Sequence, residues 1–203
     1  MNYRWVFFLP FGILFFSSVF ALEQWDSSKT NSVSNYVCNA KENTDNTVGC
    51  EAFNDIGLNP NTRNIDIGGG KYDDNTNYLK RKYHVENVVY DPYNRSKEEN
   101  KKALLLAKQK PFDSATSMSV LNVISSKKEL MAHIQLMFNC IHSGGTAYFK
   151  IYAGNKTGKP YYRKGIFQSN RGAKSYFSDV EKVFGKGHVT LFEAKNLIVA
   201  NKF

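Results

Sequence analysis

The sequence predicts an α/β domain over residues 64–203, a mostly parallel sheet with helices on both faces and an antiparallel C-terminal strand pair. Three observations lead there. Short runs rich in Val, Ile, Tyr and Phe alternate with longer runs of helical period. The first strand-like run ends in Gly68-Gly69-Gly70. The last two, Val189–Phe192 and Leu197–Ala200, form the closing pair.

Each element has its own signal. Arg63–Asp66 leads into the three glycines, and a helical pattern follows from Asn75 to Tyr83. Val85–Asp91 (VENVVYD) is a strand that ends in an acid. Ser96 and Glu99 are spaced as a capping box, where each side chain satisfies the other residue's backbone N–H; a helix opens there and runs to Lys108. Ser114–Leu121 reads as a buried strand. Ser126–Ile141 places Leu130, Ile134, Met137, Phe138 and Ile141 on one helical face, and His142-Ser143-Gly144-Gly145 stops it. Thr146–Tyr152 is β-branched and aromatic, hence a strand, and Ala173–Phe184 is a short helix.

The chain has 203 residues, 42% of them hydrophobic and 22% charged, a globular composition with room for one ordinary domain plus appendages. A mean hydropathy of −0.45 excludes a polytopic membrane protein. Residues 1–21 combine Arg4, an apolar run from Trp5 to Phe16, and Val19 and Ala21 at −3 and −1 of a cleavage site. This predicts a signal peptide and export, to the periplasm or beyond, into a host cell included. No membrane span remains after cleavage. The alternatives are an uncleaved anchor, or a silent leader and a cytoplasmic protein.

Residues 22–63 form a polar N-terminal extension with three bases and six acids, net −3, whereas 64–203 holds 23 bases and 12 acids, net +11. The acidic extension either folds back on the basic domain or serves as a spacer. Cys38 and Cys50 are disulfide candidates if the chain is exported. Cys140 lies in an apolar helical stretch and reads as packing.

The chemistry concentrates at the first strand. A strand that ends in glycines brings bare backbone close to a ligand, and open α/β sheets bind ligands at the carboxyl ends of their strands. Asp91 ends the next strand, 21 residues after Gly70, where a carboxylate can accept both hydroxyls of a ribose. A dinucleotide fingerprint would need a third glycine where Asp73 stands, and an acid beside a pyrophosphate is electrostatically wrong. Asp66 suits a cationic ligand better.

On these residues the sequence resembles the class I S-adenosylmethionine-dependent methyltransferases, proteins of Rossmann-like fold. Asp66-Ile67-Gly68-Gly69-Gly70 looks like their first motif and Asp91 like their ribose-binding acid. Phe112–Ile124 is similar to their fourth strand and the helix after it, and Gly144–Phe149 to the turn into their fifth. The resemblance implies that Gly68, Gly69 and Gly70 line the methionine end of the cofactor, with Asp66 on its amino group. It places Asp91 on the ribose, Pro92, Tyr93 and Asn94 beside the adenine, and Met118 and Ser119 on the cofactor from the fourth strand. Asn122 is the candidate on the methyl-transfer side. Asp113 follows Asp91 at an offset of only 22 positions, too few for the family's third strand with a helix on each side, so that strand is expected to be absent or vestigial.

Residues 153–178 carry Lys156, Lys159, Arg163, Lys164, Arg171 and Lys174, no acid, and interleaved aromatic rings. Cations with stacking rings suit nucleic acid as the acceptor, with Tyr161, Tyr162, Arg163 and Lys164 as the contact and Gln168 and Asn170 orienting it. The alternative is a solvated basic loop. The four histidines show no metal-ligand spacing, so no metal is expected. Two functions are compatible with these residues. One is a methyltransferase of unidentified acceptor, favoured by the cofactor residues. The other is an exported non-catalytic binding protein on the same fold, favoured by the leader and the shortened sheet. A nicotinamide enzyme is a weaker third, opposed by Asp73.

Overall fold

The computed structural model describes residues 51–163 and 166–203. The leader, Cys38 and Cys50, and Lys164 lie outside the described residues. The elements run α1 (Glu51–Asn54), β1 (Arg63–Ile67), α2 (Asp74–Tyr83), β2 (Glu86–Tyr90), α3 (Lys97–Gln109) and β3 (Phe112–Met118). They continue with α4 (Lys127–Cys140), β4 (Ile141–Lys150), β5 (Tyr161–Arg163), β6 (Ile166–Gln168), α5 (Lys174–Phe184), β7 (Val189–Phe192) and β8 (Leu197–Asn201).

Among the described residues six strands form one sheet in the order β2-β1-β3-β4-β8-β7, and β5 and β6 form a separate pair. The pairs β1–β2, β1–β3 and β3–β4 are parallel; β4–β8 and β7–β8 are antiparallel. The expected α/β sheet with its antiparallel closing pair is therefore present. So is the expected shortening: α3 leads from β2 straight to β3, with no strand between.

The topology fixes the layers. Crossovers between parallel strands are right-handed. The step from β1 to β2 goes one way along the sheet, and the steps to β3 and β4 go the other. Accordingly α2 covers one face, while α3, α4 and α5 cover the opposite one. Strand alternation shows both faces. Ile65, Ile67, Ala115, Ala147 and Phe149 pack with Ala103, Ile134, Met137, Tyr176 and Phe184 in the larger core. Met118 and Leu79 belong to a second core with Phe53, Ile56 and Leu58, against which Tyr148 and Val199 pack.

Local chemistry explains the helix ends. Ser96 and Glu99 form the expected capping box on α3. The Ser126 hydroxyl accepts from the Glu129 N–H at the start of α4. His142-Ser143-Gly144-Gly145 does end that helix, but it lies within β4 rather than before it. Ile141 already pairs with Phe112, and a register irregularity absorbs the residues before Thr146 meets Ser114.

The second core shows what the end of the polar segment does. Phe53, Ile56 and Leu58 are buried, and Asp55 bonds the Lys150 ammonium at 2.6 Å. The Asn54 carboxamide oxygen accepts from Tyr78, Lys82 and Tyr83 of α2. These residues cover the part of the α2 face that α2 alone leaves bare. Phe53→Ala is expected to lower stability by about 3 kcal/mol through the cavity it leaves, read from the urea midpoint. An unchanged midpoint would mean that the segment is not part of the cooperative fold.

Candidate active site

The direction of strand addition reverses between β1 and β3, which opens a crevice at their carboxyl ends. Gly68 leaves β1 with φ +89°, and its N–H bonds the Tyr90 carbonyl at 2.8 Å. A Cβ there would come within 2.5 Å of Val120 Cγ2. Glycine is required by both backbone and packing, which brings the turns after β1 and β3 into contact. A Cβ at Gly69 would come within 2.6 Å of Asp66 Oδ2. At Gly70, with φ +78°, it would meet nothing within 4 Å, so this part of the turn borders open space.

Asp66 is the most unusual residue of the site. It is 1% exposed. Its Oδ1 accepts from the Thr116 hydroxyl at 2.9 Å, and its buried Oδ2 has no hydrogen-bond partner among the described residues. Burial pushes its carboxyl up to about 7; the Thr116 bond pulls it down, Asp91 adds to the rise, and the Arg95 charge opposes it.

A ladder of buried polar side chains supports Asp66 under α2. The Asn64 side-chain amide donates to both the Asn87 side-chain Oδ1, at 2.7 Å, and the Thr116 hydroxyl, at 3.0 Å. Ser114 donates to Asn64, and Asn87 donates to Thr76 on α2. The ladder crosses β2, β1 and β3, so the Thr116 hydroxyl, already accepting from Asn64, directs its proton to Asp66.

Asp91, 3% exposed, directly follows β2, at the expected strand end. Its Oδ1 accepts from the backbone N–H groups of Tyr93 and Asn94, and its Oδ2 from the Gly70 N–H and the Asn94 side-chain amide. Four donors fill the four good acceptor positions of a carboxylate. Here Asp91 knits the glycine turn to the turn after β2, and a ribose would reach it only by displacing one of these donors. Asn94 is exposed and the most easily moved; Pro92 beside it is exposed too.

Two residues that sequence reasoning missed complete the clamp. The Arg95 guanidinium bonds the Gly70 carbonyl at 2.8 Å, the Tyr72 carbonyl at 3.1 Å and the Asp73 carboxylate at 2.7 Å. Asn100 accepts from the Asp91 N–H and donates to the Asp91 and Arg95 carbonyls. Neither belongs to a spacing motif; their offset from Asp91 and a position at the start of α3 are the only sequence signals.

The remaining expected residues are brought to the same end of the sheet. Met118 is buried in the second core. Ser119 follows with φ +60°, a conformation uncommon outside glycine, and its N–H bonds the Lys150 carbonyl at 2.8 Å. Asn122 is buried; its amide donates to Gln168 at 3.0 Å and its oxygen accepts from the Tyr152 N–H at 3.3 Å. Gln168 also donates to the Tyr152 carbonyl. Asn170 accepts from the Asn155 N–H and donates to the Lys159 carbonyl. In this structure Asn122, Gln168 and Asn170 thus shape the 152–170 loop. The β5–β6 hairpin carries Tyr161 and Tyr162, 46% and 68% exposed, with the backbone of Arg163 ending β5.

The histidines are elsewhere. His133 is buried against the Ser117 hydroxyl on the α4 face, and burial lowers it to about 4. His142 pairs with Asp113 at the amino end of β3. Among the described residues no group of three or more His, Cys, Asp and Glu side chains is placed to hold a metal ion, and no helix is long and apolar enough to cross a membrane. Cys140 is buried and free.

No protein-family model matches the sequence, and no curated protein matches it. Solved structures do match. One is the Haloferax volcanii complex of the Trm112 methyltransferase activator with a protein assigned as a methyltransferase: 9% identity, TM-score 0.51, covering 75% of this chain and 88% of that one. Another is the sugar N-methyltransferase KedS8 of a Streptoalloteichus species: 10% identity, TM-score 0.49, covering 69% and 79%. At such identity the likeness establishes the fold: the chain has the fold of the class I S-adenosylmethionine-dependent methyltransferases.

The raised Asp66 carboxyl has a measurable consequence. Its folded value of about 7 lies above the 3.8 of an ordinary aspartate, so the folded state holds an extra proton between them. The stability this proton confers is complete below about pH 4 and is lost as pH rises through about 7. The Tm of the wild type should fall relative to Asp66→Asn over that window and run parallel above it. Parallel profiles throughout would show Asp66 ionised in the folded protein from pH 4 upward.

Proposed function

We propose that this chain binds S-adenosylmethionine at the carboxyl ends of β1 and β2 and transfers its methyl group to an acceptor presented beside the β5–β6 hairpin. The observation that carries the reading is the Asp66 carboxylate, buried with one oxygen unpartnered among the described residues, next to a glycine turn at the switch point of the sheet. A buried carboxylate needs a counter-charge or a proton. The amino group of the cofactor is such a counter-charge.

The other residues fit the same ligand. The glycine turn would hold its methionine end, and Asp91 its ribose once the Asn94 amide turns away; Pro92 and Asn94 would flank the adenine. Acids at the start of α2, Asp73 and Asp74, occupy the place where a dinucleotide would need its pyrophosphate. The bound cofactor supplies an activated methyl group on a sulfonium. The chain's part is to hold and orient it, align the acceptor and exclude water.

A second reading is an exported binding protein on the same fold that performs no methyl transfer. It is favoured by the four internal donors on Asp91 and by the missing strand, whose end would help to shape an adenine pocket.

Calorimetric titration of the full chain with S-adenosylmethionine from pH 5.5 to 8 tests the proposal. The ammonium requires ionised Asp66, so affinity should rise roughly tenfold per pH unit below about 7 and level off above it. Asp66→Asn should bind weakly with a flat profile, and Asp91→Ala should lose binding. Asn94→Ala should bind several-fold more tightly, because one competing donor is gone. No binding by folded protein across this range would overturn the proposal. Binding without turnover on nucleic-acid, protein and small-molecule acceptors would favour the second reading.

A further inference from the structure

All four exposed tyrosines among the described residues lie at one end of the molecule. Tyr72 is 53% exposed, Tyr152 51%, Tyr161 46% and Tyr162 68%. Tyr72 belongs to the connection leaving the carboxyl end of β1, and Tyr152, Tyr161 and Tyr162 to the one leaving β4. Tyrosines elsewhere in the described fold are buried or half-buried. Rings gathered on one rim of the sheet are not scattered surface residues.

The side of the rim after β4 is basic, whereas on the β1 side Lys71 stands next to Asp73 and Asp74. The Lys71 ammonium sits 4.7 Å from the Tyr72 ring centre. On the opposite lip Lys156, Lys159, Arg171 and Lys174 are exposed, and residues 153–178 contain no acid. Arg171 lies over the Tyr176 ring, and Lys174 is 3.7 Å from Glu193; Lys156 and Lys159 stand beside the tyrosine hairpin. The hairpin is a fixed platform. Tyr162 packs on the buried Phe167 ring at 4.9 Å, and Gln168 and Ser169 are tied to Asn122 in the turn that follows Val120, the residue in contact with Gly68. The hairpin is therefore linked through the turn of Val120 and Asn122 to the candidate cofactor turn.

We propose that this rim binds a single-stranded nucleic acid, its phosphates on the lysines and arginine and its unpaired bases stacked on Tyr152, Tyr161 and Tyr162. Exposed rings stack on any base face but cannot reach bases inside a duplex, whereas cations alone would hold either form. That the strand is the methyl acceptor rests on the function proposed above; its binding does not.

The test uses the full chain without cofactor and labelled oligonucleotides of about twelve nucleotides, RNA and DNA, read by fluorescence anisotropy. Single strands should bind at least tenfold more tightly than the duplex of the same sequence, and more weakly as salt rises. Tyr161→Ala and Tyr152→Ala, shown by circular dichroism to be folded, should each weaken strand binding about fivefold or more. Both should leave S-adenosylmethionine affinity and the binding of heparin, a polyanion without bases, unchanged. Lys156→Glu with Lys159→Glu should weaken strands and heparin alike. Equal affinity for strand, duplex and heparin, indifferent to the tyrosines, would overturn the proposal and leave a simple polyanion surface; so would an absence of strand binding. Since strand binding is read without cofactor, it can fail while cofactor binding holds, and the reverse.

Discussion

The Asp66 carboxylate, placed where water cannot reach it, is the constraint on which the site depends. One oxygen has the Thr116 hydroxyl; the other has no hydrogen-bond partner among the described residues. Burying such a group costs free energy unless it keeps a proton or meets a positive charge. Its neighbours are arranged accordingly. Residue 69 is glycine because any Cβ would strike the carboxylate, and the ladder through Asn64 fixes the direction of the hydroxyl that Asp66 receives. Arg95 holds the turn from outside while tempering the field inside. A buried carboxyl so perturbed, beside a glycine turn, is a candidate for function.

Shortening the sheet changed more than its strand count. With α3 leading directly from β2 to β3, the reversal of strand order stays between β1 and β3, and the crevice survives. Its walls are held from both sides. Four hydrogen bonds from Asp91 and Arg95 join the turn after β2 to the segment Gly70–Asp73, and Asn100 braces Asp91 and Arg95 from α3. On the α2 face, Phe53, Ile56 and Leu58 close the core.

Much of this was legible in the sequence. Strand and helix periods, the Ser96–Glu99 box and the glycine turn are local signals, and the interval from Asp91 to Asp113 betrayed the missing strand because a chain of that length holds only one helix. The β5–β6 hairpin was hidden because three-residue strands carry no readable period. The docking of residues 53–58 was hidden because three apolar side chains in a polar stretch become a core only when α2 and β3 face them. At the site, residue types and order were visible but their engagements were not. Asn122, Gln168 and Asn170 carry the functional groups of acceptor-orienting residues; only their partners show that they shape a loop. The saturation of Asp91 likewise depends on backbone N–H groups, which no sequence displays.

The sheet order has one more consequence, for solubility. Among the described residues β2 is an edge strand, and the outer row of its peptide groups has no strand beside it there. Such a margin invites pairing with another chain. This one is a poor template: it is five residues long, begins with exposed Glu86, and turns at Pro92, which has no N–H to give. The features that end β2 thus also guard this boundary of the sheet.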